Sequence, residues 1–223
     1  MIIQIYAFTQ VEQAVAAAEL GVDHIGFIAG DYGQVSGELS FAAARRLAQA
    51  LPPHTVRVAL TMAVQVDEIL RMADAVQPDV VHISTDLDDV GVEAMQRLRG
   101  ELPASIRLMK AIHVAGEESI ADALRFAQVS DLLLLDTKVG GMPGIGATGR
   151  LHDWHISRRI VESVPIPVIL AGGLSSENVA EAMQAVQPWG VDSNTHTNIH
   201  GSPVEKDMQR INDFVAAVRG AHA

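Results

Sequence analysis

The chain has no cysteine among its 223 residues, which excludes disulfides, thiolate metal sites and a cysteine nucleophile. Aromatic residues are scarce at 4% while hydrophobic residues make up 48%, so a core must be built from Ala, Val, Ile and Leu, the small and branched types that fill β/α-barrel interiors. Positive charge is thin as well: 16 Lys and Arg against 27 Asp and Glu leave a formal charge of −11, and the only lysines are Lys110, Lys138 and Lys206. Nucleic-acid and anionic-membrane partners require clustered cations that displace counterions, so neither is expected. A small anionic ligand stays open, because backbone N–H groups at a helix N-terminus bind phosphate without help from net charge. No run of about 18 apolar residues occurs. The opening Met1-Ile2-Ile3-Gln4-Ile5-Tyr6 lacks the positive segment and small-residue cleavage site of a leader, so the expectation is a soluble cytoplasmic protein.

What is present is a regular alternation of short apolar runs with longer amphipathic ones, the pattern of consecutive βα units on a parallel sheet. Strands are predicted at 2–8, 24–28, 56–61, 80–84, 106–112, 132–136, 167–171 and 190–193. Helices are predicted at 11–20, 41–50, 66–75, 92–99, 119–127, 155–164, 176–185 and 205–219, most with apolar residues three and four apart. Ser119 and the run Ser175-Ser176-Glu177-Asn178 supply candidate N-caps. The first strand is not followed by the Gly-x-Gly-x-x-Gly turn of a doubly wound sheet, which favours a closed barrel. A barrel of about 200 to 250 residues forms one domain, so residues 1–223 are predicted to be a single (β/α)8 TIM barrel. Two segments, 29–40 and 137–153, are longer than simple connections and follow the carboxyl ends of strands, where barrel enzymes build their sites. The second holds Gly140, Gly141, Gly144, Gly146 and Gly149, a composition suited to a lid or to close approach of a ligand.

An ordered set of motifs gives these elements a more specific meaning. Gly146-Ala147-Thr148-Gly149 and Asp153-Trp154 are followed by the run Pro167 to Leu174, by Glu177-Asn178-Val179, by Gly190-Val191-Asp192 and by Lys206-Asp207. Upstream stand Gly26-Phe27, Lys110-Ala111-Ile112 and the run Leu132 to Asp136. Together, over most of the chain, these resemble the phosphoribosylanthranilate isomerase family, barrels of tryptophan biosynthesis that perform an Amadori rearrangement.

The resemblance implies that Asp136 is the general acid, a carboxyl group that must hold its proton near neutral pH; the alternative is an Asp capping the loop after its strand. It implies a cysteine base on the first strand, but the matching position is Tyr6, whose phenol, with an ordinary pKa near 10, accepts protons poorly. Tyr6 can donate a hydrogen bond, lean on a sugar ring or simply pack. His82 stands where the family usually shows Gln, and Ser84 where it shows His; strand alternation turns both the same way. His82 is therefore a candidate substitute base, with a satisfied structural histidine as the alternative. The family's arginine for the anthranilate carboxylate has no counterpart in the loop Gly30 to Glu38, so a substrate without that carboxylate fits better.

Phosphate binding is expected at Gly172 and Gly173, at Gly146, and at Asn194 and Thr195, where the family's usual Ser-Ser-Gly is replaced by Asn194-Thr195-His196. Lys110, near the end of a central strand, admits an imine-forming role as well as an electrostatic or structural one. The His residues show no metal-ligand spacing, and no cofactor is expected. Three functions follow: isomerisation of a phosphorylated sugar, a Schiff-base lyase or aldolase through Lys110, and a non-catalytic phosphosugar-binding barrel. The partner in each is a small phosphorylated sugar, bound by a monomer or homodimer.

Overall fold

Each predicted strand becomes a strand, and each predicted helix a helix. The computed structural model describes residues 1–137 and 153–221. Along the chain run β1 (Ile2–Ile5), α1 (Val11–Glu19), β2 (His24–Ala29), β3 (Glu38–Leu39), α2 (Phe41–Ala50), β4 (Val56–Thr61), α3 (Val66–Val76), β5 (Val80–Ile83) and α4 (Val92–Glu101). There follow β6 (Arg107–His113), α5 (Glu118–Ala127), β7 (Leu132–Asp136), α6 (Trp154–Ser163), β8 (Val168–Leu170), α7 (Val179–Val186), β9 (Gly190–Ser193) and α8 (Met208–Ala221). All the long strands pair in parallel with their chain neighbours, and β9 pairs with β1, which also pairs with β2, so the sheet closes into a barrel of eight strands. The two-residue β3 is a spur that extends the carboxyl end of β2, with Ile28 opposite Glu38. No helix among the described residues is long and apolar enough to cross a membrane.

Alternation sorts the strand residues into two layers. Val58, Val80, Met109, Ala111, Leu132, Leu134 and Ile169 point inward and fill the barrel. Ile3, Ile5, Ile25, Phe27, Val81, Ile83, Leu108, Ile112, Leu133 and Leu135 point outward and pack beneath the helices with Leu47, Ile69, Phe126 and Phe214. With so few aromatics, this outer layer of aliphatic side chains makes most of the core.

The amino-end face of the barrel repeats one device three times. An Asp just before a strand accepts the N–H of the second residue of the preceding barrel strand: Asp23 from Ile3 at 2.8 Å, Asp79 from Arg57 at 2.8 Å and Asp131 from Leu108 at 2.7 Å. Each carboxylate also meets an arginine, respectively Arg219, Arg57 and Arg99. A charge-assisted bond thereby satisfies a strand-end donor and fixes the register of neighbouring strands. Arg219 of α8 also donates to the carbonyls of Met1 and Gly21, tying the last helix to the first strand.

Several boundaries differ from the sequence reading for local reasons. Strand β1 stops at Ile5 because the Tyr6 carbonyl turns to accept from Lys206 Nζ. Ser119 lies inside α5, whose N-cap is Glu117, and its hydroxyl accepts from the N–H groups of Ala115 and Gly116 in the approach to the helix. Helix α7 begins at Val179 rather than 176, since Asn178 folds back, its side chain accepting from Ser175 N–H and donating to the Gly173 carbonyl.

Replacing Asp131 by Ala leaves the Leu108 N–H and Arg99 without their shared acceptor, at the end of the barrel away from the cavity described next. Chemical denaturation is expected to show a loss of about 1–3 kcal/mol, and an unchanged midpoint would remove this device from the account of stability.

Candidate active site

The carboxyl ends of the strands surround a cavity of about 440 Å³. Its wall is apolar on one side, from Ile28, Val35, Leu60, Met62 and Leu134, and polar on the other, from Asp136, Asp192, Asn194, Thr195 and Asn198. Tyr6, His82 and Ser84 also line it, and among the described residues no Arg or Lys does.

Three of the sequence candidates, Asp136, Tyr6 and His82, meet here as strand parity requires. Asp136 is the last residue of β7, inward like Leu132 and Leu134, with 8% of its surface exposed; its Oδ1 accepts from Thr137 N–H at 2.6 Å. Tyr6 follows β1 and His82 lies on β5, and the Tyr6 hydroxyl is 2.8 Å from His82 Nδ1. The ring of Tyr6 lies over Gly26 of β2, where any Cβ would come within 2.4 Å of it, so the absence of a side chain at that glycine makes the room. His82 is 2% exposed. Burial and the charge of Lys110 lower its pKa from 6.5 to about 3. The imidazole is therefore neutral. With the Tyr6 O–H donating to Nδ1, its remaining proton sits on Nε2, which is buried with no partner among the described residues. Burial and the Asp192 charge push the Tyr6 phenol further up from 10, so it stays a donor.

Asn194 and Thr195 line the cavity too, at the entrance to a short 3-10 turn, Thr195–Thr197. Beneath them the buried Lys206 ammonium donates to Asn194 Oδ1 at 3.1 Å, Asn198 Oδ1 at 2.6 Å and the Tyr6 carbonyl, so this cation organises the loop instead of facing a ligand. Gly172 and Gly173 follow β8 with φ of 85° and 67°, a left-handed pair that glycine adopts without cost. They stand outside the lining of the cavity itself. Gly146, and with it the lid expected across 137–153, falls outside the described residues apart from Thr137 and Asp153.

Lys110 is not brought to the cavity. It shares the parity of Leu108 and Ile112, so its side chain leaves the barrel wall outward, where Nζ donates to the Thr85 carbonyl at 2.7 Å and lies 5.6 Å from the centre of the Phe126 ring on α5. Burial lowers its pKa to about 7, yet a carbonyl substrate in the cavity has the sheet between itself and that amine.

Sequence reasoning passed over Asp192 as a strand tail. It is 6% exposed, inward on β9, and linked to the barrel interior by Gln4, whose Nε2 donates to Asp192 Oδ1 at 3.2 Å and whose Oε1 meets His24 Nδ1 at 3.1 Å. Burial, reinforced by the charge of Asp136, raises its pKa from 3.8 to about 8, against a lowering by the Gln4 bond and by Lys206. The signal available in the sequence was parity: Val191 faces the helices, so Asp192 faces in. The arginine-free loop after β2 is also built. Glu38 accepts backbone N–H bonds from Tyr32, Gly33, Gln34 and Val35 at 2.6–3.0 Å, which sets Gln34, Val35 and Ser36 on the cavity rim.

Fold and cavity define a class, the TIM barrels that carry acidic chemistry at the carboxyl ends of their strands. Within it, the chain belongs to the N-(5'-phosphoribosyl)anthranilate isomerase family: the family description N-(5'phosphoribosyl)anthranilate (PRA) isomerase matches residues 3–217. A protein of that name from Methanothrix thermoacetophila is 34% identical over 203 residues, 91% of this chain and 90% of that one. A second, from Methanosarcina mazei, is 34% identical over 215 residues, 96% and 92% of the two chains. Among solved structures, phosphoribosyl anthranilate isomerase from Thermotoga maritima superposes with a TM-score of 0.80 at 28% identity, covering 99% of this chain and all 100% of that one. A phosphoribosyl anthranilate isomerase in complex with reduced 1-(o-carboxyphenylamino)-1-deoxyribulose 5-phosphate gives 0.79 at 26% identity, with 99% and 100% covered.

The buried histidine gives a pH signature. An unfolded imidazole takes up its proton near 6.5, whereas folded His82 refuses it down to about 3. The unfolded state therefore binds more protons between those values, and stability falls as pH drops through that window. Thermal melts from pH 7 to pH 4 are expected to decline less steeply in His82→Gln than in the wild type; parallel slopes in the two proteins would contradict the burial argument.

Proposed function

We propose that the chain isomerises a phosphorylated N-ribosylamine to the corresponding 1-amino-1-deoxyketose by an Amadori rearrangement, with Asp136 as the acid that opens the sugar ring. The observation that carries this reading is the placement of Asp136: a buried carboxyl at the carboxyl end of a barrel strand, inside the cavity of a chain that belongs to this isomerase family. The sugar lies across the mouth with its ring oxygen toward Asp136. Its phosphate is held by backbone at Gly172 and Gly173 and by Asn194 and Thr195, neutral donors in a place where no cation among the described residues lines the cavity. The aromatic amine rests on Ile28, Leu60 and Met62. Tyr6 and His82 hold each other through their hydrogen bond and shape this part of the wall. Every one of these groups comes from one chain, so the site works in a monomer or in each half of a homodimer.

The amine substituent is where this protein is expected to depart from its relatives. Among the described residues, an anthranilate carboxylate entering the cavity meets two carboxyl groups and no arginine, and loss of a bidentate clamp removes a charge-assisted recognition element. An N-aryl ribosylamine phosphate without the ring carboxylate fits the same apolar wall. The Lys110 lyase reading has its amine on the helix side of the sheet, and nothing in the cavity favours it.

Turnover is followed by loss of substrate fluorescence for phosphoribosylanthranilate and by ketose formation for phosphoribosylaniline. The wild type is expected to process the carboxylate-free substrate with the higher kcat/KM, and Asp136→Asn to lose activity on both by about 10²- to 10⁴-fold. No turnover of either by the wild type overturns the isomerase reading and leaves a binding protein, whereas preference for phosphoribosylanthranilate overturns only the substrate assignment.

A further inference from the structure

We propose that Asp192 is the proton acceptor of this reaction, working with Asp136 as a carboxyl pair in place of a base at the end of the first strand; the proposal rests on the isomerase reading above. At that strand end the chain offers only a phenol whose hydroxyl is engaged with His82. The neighbouring strand offers a carboxylate. β9 pairs with β1 so that Asp192 lies opposite Gln4 and Ser193 opposite Ile5, which sets Asp192 beside the strand that runs into Tyr6.

The local geometry orients one oxygen and leaves the other to the cavity. Gln4 Nε2 donates to Oδ1, and Gln4 is itself held by His24, so the carboxyl plane is fixed from below by an amide with its own anchor. No described residue donates to Oδ2, and Asp192 lines the same cavity as Asp136. A carboxyl group more than nine-tenths buried, with an unpartnered oxygen at a cavity, is costly unless something occupies that cavity. His82 is the weaker candidate: its Nδ1 is taken by Tyr6, and a strongly depressed basicity leaves it little affinity for a carbon-derived proton.

The charges facing Asp192 from each packed element are Asp136 on β7, which opposes its ionisation, and Lys206 before α8, which favours it; Gln4 and His24 below are neutral. Burial and the charge of Asp136 raise the Asp192 pKa to about 8, so its carboxylate is a strong base when formed, and a protonated Asp136 removes one of the two effects that oppose its formation. Asp136–COOH gives its proton to the ring oxygen as the C1–O bond breaks and the nitrogen lone pair forms the iminium. Asp192–COO⁻ removes the proton from C2, and that electron pair forms the C1–C2 double bond while the iminium π pair returns to nitrogen. The enaminol then takes the proton back at C1 from Asp192, and its C2 hydroxyl returns a proton to Asp136. Both carboxyl groups finish as they began, and no outside reactant is consumed.

The test uses the full chain and whichever of the two ribosylamine phosphates the wild type turns over. Asp192→Asn keeps an oxygen for Gln4, so its melting temperature should stay near the wild type while kcat falls about 100-fold or more and KM changes little. Asp192→Ala should regain activity with added formate, a small carboxylate that fits the vacated volume, and the acid-side limb of the pH–rate profile should disappear in both variants. His82→Gln should leave that acid-side limb in place, because the group that titrates there is Asp192. Full activity in Asp192→Asn, or a collapse in His82→Gln with Asp192→Asn spared, overturns the assignment while the isomerase reading stands. If Asp192→Asn fails to fold, formate rescue of the alanine variant decides: rescue supports the carboxylate as base, and its absence in a folded protein refutes it. A wild type inactive on both substrates removes the isomerase reading and this inference with it.

Discussion

Closure of eight parallel strands gives each strand residue one of two fates, inward or outward, and everything chemical in this chain follows from that division. A one-residue slip in any strand would exchange the two sets. On β6 it would bring Lys110 into the barrel and send Ala111 beneath α5. The Asp–N–H–Arg clamps at the amino-end face oppose such slips where strands begin, and the aliphatic outer layer opposes them along the strands. Polar residues admitted inside must find partners in a low-dielectric space, and they do so as a short chain, His24 to Gln4 to Asp192, which delivers a carboxyl group to the cavity from below.

The fold was legible because the strands are apolar runs of barrel length with little else that could compete. The predicted bounds at 56–61, 132–136 and 190–193 match β4, β7 and β9, while the ends that moved did so through side chains whose partners lie far away in sequence. Lys206 Nζ takes the Tyr6 carbonyl from 200 residues further along the chain, and no local pattern announces that. The spur β3 was hidden for a related reason, since Glu38 acts as the anchor of a loop by accepting its backbone donors, a role that composition does not distinguish from an exposed acid.

The site was partly legible. Asp136, His82 and Tyr6 were found from the ordered motifs and meet in one cavity. Lys110 was singled out for its rarity and its motif, but its parity with Leu108 and Ile112 already turned it outward. Asp192 was available by the same argument and was overlooked, because an Asp at the tail of a four-residue strand looks like a turn former until the strand is closed onto β1. Parity, applied to every polar residue in every strand, separates these two cases without any coordinates.

The two departures that the family resemblance implies, Tyr6 for a cysteine and His82 for a glutamine, fall at one place, since their side chains share a hydrogen bond of 2.8 Å. A phenol with no acceptor in this cavity would be a buried unsatisfied donor, and a neutral imidazole at that position removes the problem. The pair is uncharged at neutral pH, as are the Asn194 and Thr195 donors, so among the described lining residues negative charge comes from Asp136 and Asp192. Across a chain of net charge −11, a phosphorylated substrate gains nothing from long-range attraction and must be held by close contacts. Each further negative charge on the substrate raises that cost near Asp136 and Asp192, and neither the uncharged dyad nor any cation among the described lining residues offsets it.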